Sequence, residues 1–378
     1  MPDDTYYLGT DQFALDTDEE KARLIHRLRQ YLEVRNLGVL IGNGCSLPLG
    51  SPRVDTLLPV TADVDTPPYA LADQDRHNRA RQLLDHLIPD KNSIGVEPLL
   101  TVLAHVQANE QLLHTASTVG TTPVPAADAH CLEALLKKWL YLKCTALSST
   151  GEDKLRAHEE LLRRILLRST TLPRAKIFTL NYDLILERAL DNLGVHYFDG
   201  FLGTITRILR TESYHYDLYY PGETTEGRVS RVDRVLHLYK LHGSISWRRR
   251  TTSPAGDVII NHVRPDDNEF GDVMIYPSPL KVTEMNGYPY AEMFRHFSSH
   301  IHQPQTVLLV IGYRFQDSHI NRLIYQALSI PSFVLIIVTP TLSVPGPGEA
   351  PGPQHEIWRL KELGSKRIGL VPSGETTS

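Results

Sequence analysis

Short apolar runs alternate along the chain with longer stretches of helical periodicity, and several of the runs stop at a small polar island. The runs at residues 38–41, 175–180, 235–241, 307–311 and 333–338 are dominated by Val, Ile and Leu. Apolar residues without polar alternation over such a length predict strands buried on both faces. Leu24, Ile25, Leu28 and Leu32 recur at helical spacing and predict an amphipathic helix over 18–35, with Asp16 and Thr17 as candidate caps. Similar periodicity predicts helices over 97–114, 131–146, 153–167, 184–193, 291–302 and 318–328. Residues 51–68, rich in Pro, Thr and Asp, read as a loop. The Gly/Pro stretch 345–353 reads as another, before one last helix and strand.

Strand, polar turn, helix is the grammar of an α/β fold, here a Rossmann-like, doubly wound and mostly parallel sheet. The length of 378 residues suits one large domain with insertions or two modest ones. A single domain over 1–378 is the reading adopted, with a helical insertion at about 71–167. A second insertion, at about 198–233, is Tyr- and Gly-rich and irregular. Residues 253–281 read as irregular or β-rich, and no internal repeat is evident.

Composition narrows the function classes. With 41% hydrophobic and 22% charged residues the chain is neither fibrous nor wholly disordered. A net charge of −5 argues against direct nucleic-acid binding by this chain alone. Arg248-Arg249-Arg250 is the one compact basic run, readable as a solvated turn or as a phosphate patch. Three cysteines, Cys45, Cys131 and Cys144, are too few for a four-thiolate zinc ribbon, and their odd count suits a reducing compartment. The start Met1-Pro2-Asp3-Asp4-Thr5 lacks the marks of a secretion signal, and no apolar run is long enough to span a bilayer. The expectation is a cytoplasmic protein with no membrane contact.

Three islands carry candidate chemistry. In a doubly wound sheet, groups at the carboxyl ends of separate strands converge on one crevice. Gly42-Asn43-Gly44-Cys45-Ser46 matches the first two glycines of a dinucleotide fingerprint, but Leu47 stands where the third belongs. It reads either as a tight turn or as a cradle in which backbone amides and Ser46 meet a pyrophosphate. In Asn181-Tyr182-Asp183, Asp183 is open to two readings, helix cap or site residue. A cap does not explain Asn181, whose amide can hold a water or a ribose hydroxyl. His242, in Leu241-His242-Gly243-Ser244, can be a satisfied core histidine or a base that takes a proton near neutral pH.

In this order the islands resemble the sirtuin superfamily. There, a Gly-Ala-Gly-x-Ser loop cradles NAD, a Thr-x-Asn-x-Asp segment lines the nicotinamide-ribose pocket, and a Leu-His-Gly carries the base. Phe178-Thr179-Leu180-Asn181-Tyr182-Asp183, the string 240–247 and the string 311–321, Ile311-Gly312-Tyr313-Arg314-Phe315-Gln316-Asp317-Ser318-His319-Ile320-Asn321, look like one branch, the sirtuin-like NAD hydrolases of bacterial antiphage defence. The resemblance implies that Gly42, Gly44 and Ser46 contact the NAD phosphates, and that Gly312 and Tyr313 form a further nucleotide-contacting turn. It implies Asn181 and Asp183 at the nicotinamide-ribose end and His242 as the base. Asn43 departs from the usual alanine, and the zinc ribbon of deacylating sirtuins is missing.

The activity that the resemblance implies is that of an NAD glycohydrolase releasing nicotinamide and ADP-ribose, with NAD as substrate and no zinc. Protein deacylation, ADP-ribosyl transfer and a catalytically silent NAD or ADP-ribose binding module are the alternatives. In resembling systems, domains of this size form homo-oligomers or sit with a HerA-type hexameric ATPase, so one or the other partner is expected.

Overall fold

The computed structural model describes residues 5–52, 57–88, 90, 95–113, 117–119, 122–147, 151–225, 228–252, 256–262, 288–340, 342, 344–350, 352 and 355–372. Of the predicted segments, residues 53–56, 89, 91–94, 114–116, 120–121, 148–150, 226–227, 253–255, 263–281, 351 and 353 lie outside them.

Nine strands form the main sheet: β1 (Thr5–Leu8), β2 (Asp11–Ala14), β3 (Asn36–Ile41), β4 (Lys176–Thr179), β5 (His196–Phe198), β6 (Val235–Lys240), β7 (Thr306–Ile311), β8 (Val334–Thr339) and β9 (Ile368–Pro372). Their order is β2-β1-β9-β8-β7-β3-β4-β6-β5. The seven strands from β9 to β5 pair parallel, and the β1–β2 hairpin adds an antiparallel edge. The chain runs outward from β3 to β4 and on to the edge strand β5, returns one place to β6, then crosses to the far side of β3 for β7, β8 and β9. The reversal lies between β3 and β7, and the crevice at such a switch point, beyond the strands' carboxyl ends, is where doubly wound sheets bind ligands.

β3 is buried along its whole length, as a strand covered on both faces must be. Its side chains alternate. Leu40 packs with Phe178, Tyr239, Leu308 and Val310 under helices α8 (Tyr290–Ile301), α9 (Ser318–Ala327) and α10 (Glu356–Glu362), which contribute Phe297, Ile324 and Leu360. Leu37, Val39 and Ile41 pack with Ile177, Leu238 and Val307 on the other face. That face is covered by α1 (Asp18–Leu32), α6 (Arg156–Leu166) and α7 (Ile185–Asn192), through Leu24, Leu162 and Leu190. Thr17 caps α1, its side chain accepting from the Glu20 amide at 3.2 Å, in agreement with the sequence reading.

Between β3 and β4 the chain builds α2 (Leu58–Asp63), α3 (Gln74–Leu87), α4 (Val96–Leu113) and α5 (Ala126–Ala146), which share their own apolar core around Leu84, Leu103, Leu135 and Trp139. Ile245 is buried in that core, and Tyr182 and Leu184 pack against it. The helices therefore bear directly on the loops that follow β4 and β6.

Three local expectations need correction. Residues 51–68 are not all loop: α2 forms there with Pro59 in its first turn, where a missing N–H costs nothing. Asp63 at its end accepts from Trp139 Nε1 at 2.8 Å and pairs with Lys143 at 2.9 Å, a tertiary anchor that local composition does not show. Residues 198–233 contain short strands at Phe201–Leu202, Arg207–Leu209, Tyr219–Thr225 and Arg228–Arg231. Two of them join Trp247–Thr252 and Gly256–Asn261 in a second, antiparallel sheet. The seven-residue Tyr219–Thr225 is interrupted by Pro221-Gly222, which read as a turn, and the other three of these runs have two to four residues, too few for periodicity to register. For the same reason β1 and β2, joined at Gly9 with φ +58°, escaped the sequence reading.

Candidate active site

Four neighbouring strands deliver the candidate residues in register. Ile41 of β3 is paired with Ile311 of β7 and with Thr179 of β4, and Thr179 is paired with Lys240 of β6. Gly42, Gly312, Asn181 and His242 thus all stand one or two residues beyond the same level of the sheet, at its carboxyl edge.

The Gly42–Ser46 loop turns through two short 3₁₀ segments, Asn43–Cys45 and Leu47–Leu49. Its glycines face the turn after β7. A Cβ on Gly42 would fall 2.6 Å from the Gly312 carbonyl oxygen, and one on Gly44 would fall 2.7 Å from the Gly312 Cα. Gly312 itself, at φ +66°, would bring a Cβ to 2.5 Å from the Cys45 nitrogen. The amides of Gly42, Gly44, Cys45 and Ser46 all donate within the protein, to the carbonyls of Ile311, Gly312, Gly42 and Asn43 at 2.8–3.1 Å. The glycine pattern therefore has a packing cause, and those four amides are not aimed at a phosphate in this conformation. Asn43 turns its side chain away, donating to the Pro52 carbonyl at 3.2 Å and accepting from Ser51 Oγ at 2.5 Å.

Ser46 and Asn181 meet across this loop. Asn181 Nδ2 donates to Ser46 Oγ at 3.1 Å and lies 3.2 Å from the Gly42 carbonyl, while Ser46 Oγ donates to Asp183 Oδ2 at 2.9 Å. The backbone N–H of Asn181 donates to Thr179 Oγ1 at 3.1 Å. Asn181 is only 7% exposed, and its Oδ1 is a buried acceptor with no hydrogen-bond partner among the described residues. An acceptor left open in a buried site has lost its water contacts without replacement, a cost that a ligand's N–H or O–H would remove.

Asp183 does both things the sequence left open. Its Oδ1 accepts from the Ile185 amide at 3.1 Å, capping α7, and its Oδ2 holds Ser46. With both oxygens so engaged, it supports Ser46 and Asn181 in place. Lys240 lies behind it. Its ammonium donates to the Asp183 carbonyl and pairs with Glu187 Oε1 at 2.8 Å. Burial pushes the Glu187 carboxyl above its ordinary pKa, with Lys240 opposing that push. Neither Lys240 nor Glu187 figured as a site residue in the sequence reading, since a lysine in a strand and a glutamate in a helix carry no signal of pairing.

His242 is 6% exposed. Its ring stands 6.3 Å from that of Tyr182 and 6.3 Å from that of Phe294, and its Nε2 lies 3.2 Å from Asp317 Oδ2. Tyr313, in the turn after β7, is buried with its hydroxyl 2.8 Å from Asn321 Oδ1 and accepts from the Asp317 amide at 3.1 Å. It thus braces the start of α9. Burial, then the nearby Asp183 charge, pushes the Cys45 thiol up to about 12, which disfavours the thiolate, and its Sγ donates to the Ile311 carbonyl at 3.4 Å.

Among the described residues no cluster of three or more His, Cys, Asp or Glu side chains is placed to hold a metal ion, and no helix is long and apolar enough to cross a membrane. Arg248 of the basic run is buried, donating to the Ile245 and Trp247 carbonyls and to Tyr141 of α5, so at that position neither the solvated-turn nor the phosphate reading holds.

Comparison with known proteins gives one family match, the SIR2-like domain, over residues 175–343. No curated protein matches the chain. Among solved structures, a Sir2 homologue in complex with NAD aligns over 84% of this chain and 83% of its own, with 12% identity and a TM-score of 0.36. A Sir2 homologue mutant bound to 2′-O-acetyl ADP-ribose aligns over 89% and 94%, with 13% identity and a TM-score of 0.35.

Proposed function

We propose that this chain, which carries a SIR2-like domain over residues 175–343, cleaves the nicotinamide N-glycosidic bond of NAD with water as the acceptor. The observation that carries the reading is the buried, open Oδ1 of Asn181, held at the strand ends between the Gly42–Ser46 loop and the strand that delivers His242. Nicotinamide is a good leaving group, because it is cationic in NAD and leaves neutral, so its departure needs no acid. What must be stabilised is an oxocarbenium-like ribose and the incoming water. Asn181 Oδ1 accepts a hydrogen bond from a ribose hydroxyl or from that water, and fixes its direction. His242 takes the proton. The products are nicotinamide and ADP-ribose.

Such an activity empties the NAD pool of the cell that makes it, which fits a role in antiphage defence and calls for external control. Assembly into a homo-oligomer or with a HerA-type hexameric ATPase is the control that the resemblance suggests.

The test is nicotinamide release from NAD by the purified chain, followed chromatographically, alone and with a hexameric ATPase partner. His242→Ala and Asn181→Ala serve as controls, and acylated peptide is added in a parallel arm. Release without peptide, lost in both variants, is the expected result. Release only with peptide moves the assignment to deacylation. NAD binding without turnover in any arm moves it to a binding module.

A further inference from the structure

Asp317 reaches the site from the amino end of α9, on the far side of the switch point from His242. Its Oδ1 accepts from the His319 amide at 3.0 Å and so caps the helix, while its Oδ2 lies 3.2 Å from His242 Nε2. Both side chains are buried, 10% and 7% exposed. The turn that presents the carboxylate is held tightly. Phe315 sits at φ +58°, its carbonyl accepts from Asn321 Nδ2 at 2.6 Å, and the Tyr313 hydroxyl accepts from the Asp317 amide at 3.1 Å. A residue with a bulky side chain enters the left-handed region only when its surroundings hold it there. Capping needs one oxygen and accounts for Oδ1 alone. Oδ2 faces His242.

We infer that Asp317 is the positioning residue for His242. The inference rests on the reading of His242 as the base. His242 Nε2 and Asp317 Oδ2 stand at ion-pair distance; a small turn of the ring aligns Nε2–H with that oxygen, which fixes the neutral imidazole in the tautomer whose Nδ1 carries the lone pair. In the reaction the proton of the ribose hydroxyl or water passes to Nδ1, the oxygen keeps the electron pair, and the imidazolium that forms is stabilised by the carboxylate, which stays ionised throughout. Among the described residues, the rings of Tyr182, from the loop after β4, and Phe294, from α8, also stand against the imidazole. Neither ring carries a charge at neutral pH, so among these contacts the carboxylate is the one that favours the imidazolium.

Asp317→Asn separates this role from capping, because asparagine caps a helix about as well as aspartate. Nicotinamide release is measured as a function of pH for wild type, Asp317→Asn and Asp317→Ala. NAD binding and thermal midpoint are measured alongside, together with the ¹⁵N shifts of the His242 imidazole in histidine-labelled protein. Asp317→Asn is expected to keep its thermal midpoint and NAD affinity, to lose at least tenfold in kcat, and to move the acid limb of its rate profile to lower pH, since an imidazole beside a neutral amide protonates less readily. Asp317→Asn turning over at the wild-type rate with an unchanged profile would reduce Asp317 to a cap and overturn the inference. If wild type releases no nicotinamide, the reaction assignment fails, and the pairing is judged by the ¹⁵N shifts alone. A wild-type imidazole protonated at Nε2, with that preference lost in Asp317→Asn, supports it; an Nδ1-protonated ring, or the same tautomer in both proteins, overturns it.

Discussion

The Gly44 amide donates to the Gly312 carbonyl at 2.8 Å, and this bond locks the loop after β3 onto the turn after β7 across the switch point of the sheet. Two backbones approach that closely only where no side chain stands between them. The glycines are thus explained first by contact with each other. The candidate site is built around that contact, with Ser46 at the end of one loop and Tyr313 at the start of the other.

That relationship makes Gly44→Ala and Gly312→Ala costly for different reasons. At Gly44 the added methyl meets the Gly312 backbone at 2.7 Å, and at Gly312 it meets the Cys45 nitrogen at 2.5 Å on a backbone of φ +66°. Each is expected to cost about 2 kcal/mol or more in urea unfolding, through displaced backbone or left-handed strain. Losses below about 0.5 kcal/mol, the usual range of an innocuous surface change, would mean the loops are not in contact.

Ser46→Ala removes the donor to Asp183 Oδ2 and one of the two acceptors of Asn181 Nδ2. A buried carboxylate left short of a partner predicts a loss of about 1–3 kcal/mol in stability. If NAD is the substrate, turnover should fall more than NAD affinity, because Asn181 loses its orientation while the pocket persists. Equal losses in both would point to a direct contact of Ser46 with the nucleotide.

Lys240→Met should destabilise strongly, by about 3–5 kcal/mol, because it leaves Glu187 buried without its cation and frees the Asp183 carbonyl. Adding Glu187→Gln to the same chain should restore a good part of the loss. Thermal denaturation of the two single variants and the double variant decides it, and simple additivity would show that the pair is not coupled.

Stability should fall on acidification well before the carboxylates titrate. Burial, with Lys176 adding to it, pulls His237 down to about 4 and His300 to about 3; burial also pulls His296 to about 4, against the opposing charge of Glu292. These imidazoles are neutral in the folded chain, while in the unfolded chain they protonate around pH 6.5. Between about pH 6.5 and 4 the unfolded state therefore binds more protons, and stability rises with pH, by up to roughly 4 kcal/mol per unit for the three together. Above 6.5 the effect is gone. Denaturant midpoints from pH 7.5 to 4.5 measure the slope, and His237→Gln and His296→Gln should each flatten it. A midpoint that does not move from pH 7 to pH 5 would contradict the burial of these rings.

Much was legible in the chain itself, and for a physical reason. Strands covered on both faces are mostly apolar, so the interior strands β3, β7 and β8 stood out as near-continuous runs and β4 and β6 as apolar runs broken by a few polar residues, and helices that cover one face must be periodic, so α1, α7, α8 and α9 did too. Short local devices could also be read: Thr17 as a cap, and Asn181, Asp183 and His242 as polar residues that a strand end does not otherwise need. Where information is spread over few residues, as in β1, β2, α2 and the short strands of 198–233, periodicity has nothing to count.

The tertiary structure decided what the polar residues are bonded to. Pairing distances depend on strand order, and strand order is set by how the chain crosses the sheet, which local propensity does not encode. Only the fold brings Gly312 against Gly44, Asp183 under Ser46, Lys240 to Glu187 and Asp317 to His242. Which polar residues stand at the strand ends was therefore determined by the sequence, through the abrupt ends of its buried strands. Which of them face one another, and which acceptor is left open, was decided by the parallel register of β7, β3, β4 and β6, because it aligns four strand ends at one level of a single crevice.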